Sequence, residues 1–194
     1  PTVGIPLALG NYQLLPFWGT LLGELGANVV LSGASTKKVI QRGVDVVLST
    51  PCFPVKVAHG HVLELIDKGA EAIWLPSVLS MFDDDPSTDR NQLCPYVQAI
   101  PYQVAVAVEP GRKGVKLLQL PVRFGDGPKL LRESLKPLCR EFHVSGRRLE
   151  ETSRVSFQCV PPPAAGSLKS GPSMQEPSNK AVGRSNRLGF TGMT

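Results

Sequence analysis

Two cysteines at the starts of predicted helices are the residues of this sequence best suited to chemistry. Cys52 opens the run CFPVKVAHGHV, and Cys94 opens the run CPYVQ. The first run also contains Lys56, His59 and His61. Thiolates and imidazoles beside a positive charge suit an iron–sulfur cluster, a zinc ion or a reactive thiolate. The residues alone leave one alternative equally open: both cysteines are small buried hydrophobic side chains.

The sequence has four cysteines and no C-x-x-C pair, so the common zinc-ribbon and thioredoxin-like spacings are absent. Any metal site must therefore be assembled from distant segments. Cys139 lies near the apolar stripe of a predicted helix and is expected in the core. Cys159 borders the C-terminal tail and is interpreted as incidental.

Two further kinds of metal site are disfavoured by the sequence. The aspartates Asp83, Asp84, Asp85 and Asp89 could bind magnesium, but a charge run without the alternating spacing of a calcium loop is typical of a solvated loop. A zinc hydrolase that uses His59 and His61 lacks an H-E-x-x-H or similar spacing. Two histidines two positions apart on a helix also point in different directions.

The elements that must position the cysteines alternate between strands and helices. Short apolar or β-branched runs predict strands, and apolar residues at helical spacing between them predict helices. The predicted strands are 2–5, 28–31, 45–48, 72–75 and 115–120. The predicted helices are 11–26, 35–43 (closed by Gly43), 54–68, 96–107, 127–142 (kinked at Pro137) and 145–158 (capped by Ser145), and 77–92 is predicted to be a polar loop. This alternation predicts an α/β fold with an open, mainly parallel sheet and helices on both faces.

In such a sheet the loops after the strands meet at one edge, where ligands bind. Cys52 is predicted to follow the strand 45–48 and to start the next helix, whose N-terminus favours an anion such as a thiolate. Cys94 also precedes a helix. We therefore expect both thiols on one rim, facing one open cleft.

Composition limits the classes of function. The chain has 194 residues, 42% of them hydrophobic, and a formal charge of +5, of which the segment 161–194 carries +3. The predicted folded part, 1–160, is therefore nearly neutral, which disfavours nucleic-acid binding. The segment 161–194 is rich in Pro, Gly and Ser and is predicted to be disordered. The absence of a long apolar run or a secretory signal pattern predicts a cytoplasmic protein without a membrane partner.

Four segments carry a resemblance to a known family. They are GIPLALGNYQLLPFWGTLLGELGANVVLS, ASTKKVI, CFPVKVAHGHV and CPYVQAIPY. Over about residues 2–158, the sequence resembles the CoA-substrate-specific activase-related proteins, which are similar to 2-hydroxyacyl-CoA dehydratase subunits. The resemblance implies a Rossmann-like, N-terminal lobe in which Cys52 and Cys94 bind a [4Fe–4S] or double-cubane cluster. Lys56, His59 and His61 would then surround the ligands.

In that family an ATP-dependent activator passes a low-potential electron to the dehydratase. Related proteins continue into a second lobe with further cysteines, and larger ones carry an ATPase module; here no G-x-x-x-x-G-K-[ST] motif occurs. The expectation is a truncated lobe whose remaining ligands come from a second lobe, a partner subunit or a homodimer. The alternative is a non-catalytic remnant or partner-binding domain without a cluster.

Overall fold

The computed structural model describes residues 1–81 and 91–158. In chain order its elements are β1 (Thr2–Ile5), α1 (Asn11–Glu24), β2 (Asn28–Leu31), α2 (Lys37–Val46), α3 (Phe53–Asp67), β3 (Ala72–Trp74), β4 (Ser77–Ser80), α4 (Pro95–Gln98), α5 (Ile100–Ala107), a 3-10 turn (Pro110–Lys113), β5 (Lys116–Leu118), β6 (Pro121–Arg123), α6 (Gly127–Leu135), α7 (Pro137–Glu141) and α8 (Gly146–Gln158). The predictions for Asp83–Asp89, Cys159 and the tail 161–194 lie outside the described residues.

Four strands form an open parallel sheet in the order β2-β1-β3-β5. Val3 of β1 pairs with Val29 of β2 on one side and with Ala72 of β3 on the other. The chain leaves β1 towards β2 and then returns past β1 to β3. The strand order thus reverses between β1 and β3, where the carboxyl ends of the strands open a crevice. The predicted α/β class with a mainly parallel sheet is confirmed.

Helices cover both faces of this sheet. Val3, Ile5 and Trp74 belong to the apolar cluster that α1 and α6–α8 complete, whereas Ile73 and Leu75 belong to the cluster completed by α3 and α5. Side chains of a strand alternate between faces, so successive residues of β3 enter different clusters. The Trp18 ring of α1 packs edge-on against Trp74, with centroids 5.0 Å apart. The prediction of helices on both faces is confirmed.

The predicted strand 45–48 is wrong. α2 continues through Val46, and Leu48 beyond it is 74% exposed. The predicted end of the helix at Gly43 is also wrong, because Gly43 lies inside α2, where a β-carbon would meet the Lys56 carbonyl oxygen at 2.1 Å. Gly43 thus allows α2 to approach α3, and the helix has no reason to end there. Cys52 consequently follows a loop, not a strand.

The predicted loop 77–92 is wrong at its start, because β4 occupies Ser77–Ser80 and pairs in parallel with β6. The two strands prolong β3 and β5: Leu75 donates a backbone hydrogen bond to Leu118, and Ser77 donates one to Leu120. Pro76 lies between β3 and β4 and has no N–H to donate to a neighbouring strand. Because proline usually ends a strand, the sequence did not predict that the extended chain continues into β4.

The remaining helices lie at their predicted places, except that the predicted helix 96–107 is divided at Ala99 into α4 and α5. The break between α6 and α7 falls at Lys136, directly before Pro137, and the Ser145 hydroxyl accepts a hydrogen bond from the Arg148 N–H at the start of α8. Cys139 is partly buried and packs against the core, as expected. Among the described residues, none of the helices combines the length and apolar character needed to cross a membrane.

Candidate functional site

Cys52 and Cys94 both occupy N-cap positions. Cys52 precedes α3 with extended backbone angles (φ −60°, ψ 157°), and Cys94 precedes α4 (φ −50°, ψ 134°). Neither side chain makes a capping hydrogen bond, and both residues are exposed. This exposure argues against the interpretation that they are buried hydrophobic side chains. Both thiols are accessible to a metal cluster, an electrophile or a partner.

An apolar cleft lies at the point where the strand order reverses. Its walls come from the loop after β1 (Pro6, Leu9), the end of β3 (Leu75), α3 (Ala58) and the segment around Cys94 (Leu93, Val97). Residues on both sides of Cys94 thus line the cleft, and Cys52 begins the helix that supplies Ala58. The interior volume is about 20 Å³, room for about one water molecule. The prediction that both sulfurs face one cleft stays a prediction.

The histidines of the CFPVKVAHGHV run are buried and lie on different sides of α3. His61, fully buried, bonds through Nδ1 to the Ser32 hydroxyl and through Nε2 to the Ser35 hydroxyl, each at 2.9 Å. Ser32 follows β2, and its oxygen also accepts a hydrogen bond from the Leu7 N–H at 2.7 Å. His61 therefore ties α3 to the loops that follow β1 and β2.

Burial lowers the pKa of His61, and the Glu64 carboxylate only partly offsets this effect. Glu64 accepts a hydrogen bond from the Gly33 N–H at 2.9 Å and pairs with Lys68 at 3.3 Å. This second link joins α3 to the same loop after β2. The sequence did not point to Ser32 or Glu64, and it suggested Ser35 only as the cap of α2, a position that Thr36 occupies. The position of the two serines after a predicted strand was a usable signal.

His59 lies towards α5. Its Nδ1 is 2.8 Å from the Val55 carbonyl oxygen, and burial lowers its pKa despite this contact. Its ring lines a separate pocket with Leu48, Tyr102 and Val106. Since His59 and His61 engage different parts of the fold, they do not form a shared zinc site.

Gly60 between the two histidines explains part of the motif by packing. A β-carbon at Gly60 would lie 2.0 Å from the Val39 carbonyl oxygen of α2, closer than any real contact. The glycine therefore permits the close crossing of α2 and α3.

Lys56, the other polar residue of this motif, is partly buried and has no ion pair with a described residue.

Within residues 1–81 and 91–158, no three His, Cys, Asp or Glu side chains converge in a way that could hold a metal ion. The described part of the chain therefore offers exposed thiols singly and not as a completed ligand set.

The fold and this edge define a parallel α/β domain with its candidate site at the carboxyl ends of the strands. A model of the family described as the CoA enzyme activase uncharacterised domain matches residues 2–158. The chain belongs to this family, and the match supports the resemblance to CoA-substrate activase-related proteins. No curated protein and no solved structure gives a significant match.

Proposed function

We propose that this domain is a ligand-bearing lobe of a CoA enzyme activase system, of the N-terminal type, in which Cys52 and Cys94 supply two thiolates to a [4Fe–4S]-type cluster. The observation that carries the proposal is the placement of both cysteines. Each is exposed at the N-cap of a helix, and both of these helices, α3 and α4, line the apolar cleft where the strand order reverses. Family membership supports an interaction with a partner enzyme.

The two exposed cysteines would supply half of the ligands of such a site. A [4Fe–4S] cluster is usually held by four cysteine thiolates, and the described residues bring no third ligand to either cysteine. The remaining ligands must therefore come from elsewhere: a second lobe, a partner subunit or a second copy of this chain. A double-cubane cluster would need still more thiolates from outside.

The surroundings of Cys52 and Cys94 are compatible with holding a cluster. Cys52 lies at the N-terminus of the 15-residue helix α3, where its exposed side chain makes no capping hydrogen bond and is free to bind a metal. Around Cys94, the apolar side chains of Leu93 and Val97 limit the access of water to the cleft. The bound cluster would supply one-electron transfer at low potential, with an ATP-dependent activator as the electron donor.

Anaerobic reconstitution with iron and sulfide tests the proposal. If two copies share one cluster, the wild-type protein should bind about two irons per chain as a dimer; otherwise it should bind iron only with its partner subunit. Cys52→Ser and Cys94→Ser should each lose this iron. Cys139→Ser is the matched control, because Cys139 is partly buried against the core, and it should retain the iron.

Iron binding that survives both the Cys52 and the Cys94 substitutions contradicts the ligand assignment. A folded wild-type protein that binds no iron, alone or with its partner, supports the second candidate function: a partner-binding domain without a cluster. The specific observation that favours this second candidate is the lack of any third converging ligand among the described residues.

A further inference from the structure

A second pocket of the described residues, which neither cysteine lines, lies between the end of α2, the middle of α3 and the outer face of α5. Its volume is about 340 Å³, within the range of pockets that hold small molecules. Val47, Leu48, Tyr102, Val106 and Ala107 supply most of its wall, and His59 lies among them. Leu48, Tyr102 and Val106 are 74%, 54% and 66% exposed, an unusual concentration of apolar surface beside one opening.

The contacts of His59 determine which nitrogen carries the proton. Nδ1 lies 2.8 Å from the Val55 carbonyl oxygen, and a carbonyl oxygen can only accept a hydrogen bond. Nδ1 is therefore protonated and donates. In the neutral ring Nε2 then carries a lone pair and can only accept.

Nε2 of His59 has no hydrogen-bond partner among the described residues, although the side chain is only 1% exposed. Within the part of the chain that the structure describes, the fully enclosed side-chain nitrogens without a partner are those of Trp18 and Trp74. Nε2 of His59 is not among them and is therefore not sealed in the core. The small accessible part of His59 thus includes Nε2. Since the ring lines the pocket, this acceptor is available from the pocket.

Among the described residues that line the pocket none is charged, and the polar ones are His59, Ser49, Gln103 and Tyr102. A charged ligand would lose its hydration there without gaining an ion pair. We propose that this pocket is a binding site for a neutral, mainly apolar small molecule that carries one hydroxyl or N–H group, which donates a hydrogen bond to Nε2 of His59. The walls provide affinity through apolar burial, and His59 selects for the donor.

Two probes of similar shape test the site: 2-naphthol, which has a hydroxyl donor, and 2-methoxynaphthalene, which has none. The wild-type protein should bind 2-naphthol about fivefold more tightly, the effect of one additional hydrogen bond. The chain has three histidines, so ¹⁵N-histidine NMR resolves each of them. On adding 2-naphthol, only Nε2 of His59 should shift, and the free protein should already show the Nδ1–H tautomer.

Three variants complete the test, with calorimetry as the readout. Val106→Asp places a charge in the wall and should reduce the affinity for both probes at least tenfold. Leu130→Asp is its control, because Leu130 of α6 is similarly exposed, at 55%, and lies outside the pocket. His59→Phe should bind both probes equally. If this variant does not fold, the NMR measurement on the wild-type protein tests the contact with Nε2 by itself.

The proposal is overturned if neither probe binds, as when a segment of this chain or of a partner protein fills the pocket. It is also overturned if both probes bind equally to the wild-type protein without a shift of Nε2, or if Val106→Asp has no effect. None of these outcomes depends on the thiols of the proposed cluster.

Discussion

Gly43 and Gly60 lie against each other where α2 crosses α3, and a β-carbon at Gly43 would approach the backbone nitrogen of Gly60 to 2.9 Å. The same β-carbon would meet the Lys56 carbonyl oxygen at 2.1 Å. These are backbone atoms of a helix, which cannot move aside as the end of a side chain can. The two glycines therefore determine how closely α3, whose N-cap is Cys52, packs against α2.

Gly60→Ala should destabilise the protein by about 3 kcal/mol, because the added methyl group forces two helix backbones apart. Urea denaturation followed by circular dichroism measures the change. The matched control is Gly19→Ala in α1, where a β-carbon has no neighbour within 4 Å. This control should gain up to about 1 kcal/mol from helix propensity, and an equal loss in both variants would contradict the packing argument.

Ser32→Ala should cost about 2 kcal/mol, because the partly buried Leu7 N–H and the buried Nδ1 of His61 lose the hydroxyl that they share. Ser35→Ala removes the other contact of His61, but Ser35 is exposed. Water can replace the lost hydroxyl there, so the cost should stay below about 0.5 kcal/mol. Denaturation of the two variants under identical conditions compares them, and the reverse order would show that His61 does not organise this loop.

Stability should decrease as the pH falls below about 6.5. Burial lowers the pKa of His59 and His61 from the ordinary value of 6.5, so the unfolded chain takes up protons before the folded one does. The free energy of unfolding is therefore highest above the pKa of the unfolded state. It falls as the pH drops from that pKa to the lower pKa of the folded state, by up to about 1.4 kcal/mol per pH unit for each histidine.

Urea titrations between pH 7.5 and 5.5 measure this slope. His143→Gln, at the exposed third histidine, is the variant for comparison. A stability that stays constant over this range would contradict the assignment of two buried neutral histidines.

Alkylation should distinguish the described cysteines. Cys52 and Cys94 are exposed and Cys139 is partly buried, so iodoacetamide should modify the first two roughly tenfold faster. Peptide mass spectrometry after short reaction times locates the labels. Equal rates at all three positions would show that exposure at the helix N-caps does not set their reactivity.

The sequence alone predicted the features that depend on short-range patterns. The apolar spacing of α1, the β-rich run of β1 and the Cys-Phe-Pro start of α3 are local signals, and the structure places these elements at Asn11–Glu24, Thr2–Ile5 and Phe53–Asp67. The regular alternation of strands and helices was enough to predict a parallel sheet with helices on both faces.

Tertiary contacts decided the rest. The run from Val44 to Leu48 has the composition of a strand, but Gly43 meets α3 and the helix continues to Val46. The two histidines of one motif have different environments, because His61 meets serines that follow a distant strand and His59 faces α5. A local sequence pattern reflects the propensity of a segment to form a helix or a strand. Hydrogen-bond partners and close packing depend instead on segments far apart in the chain, which only the folded structure brings together.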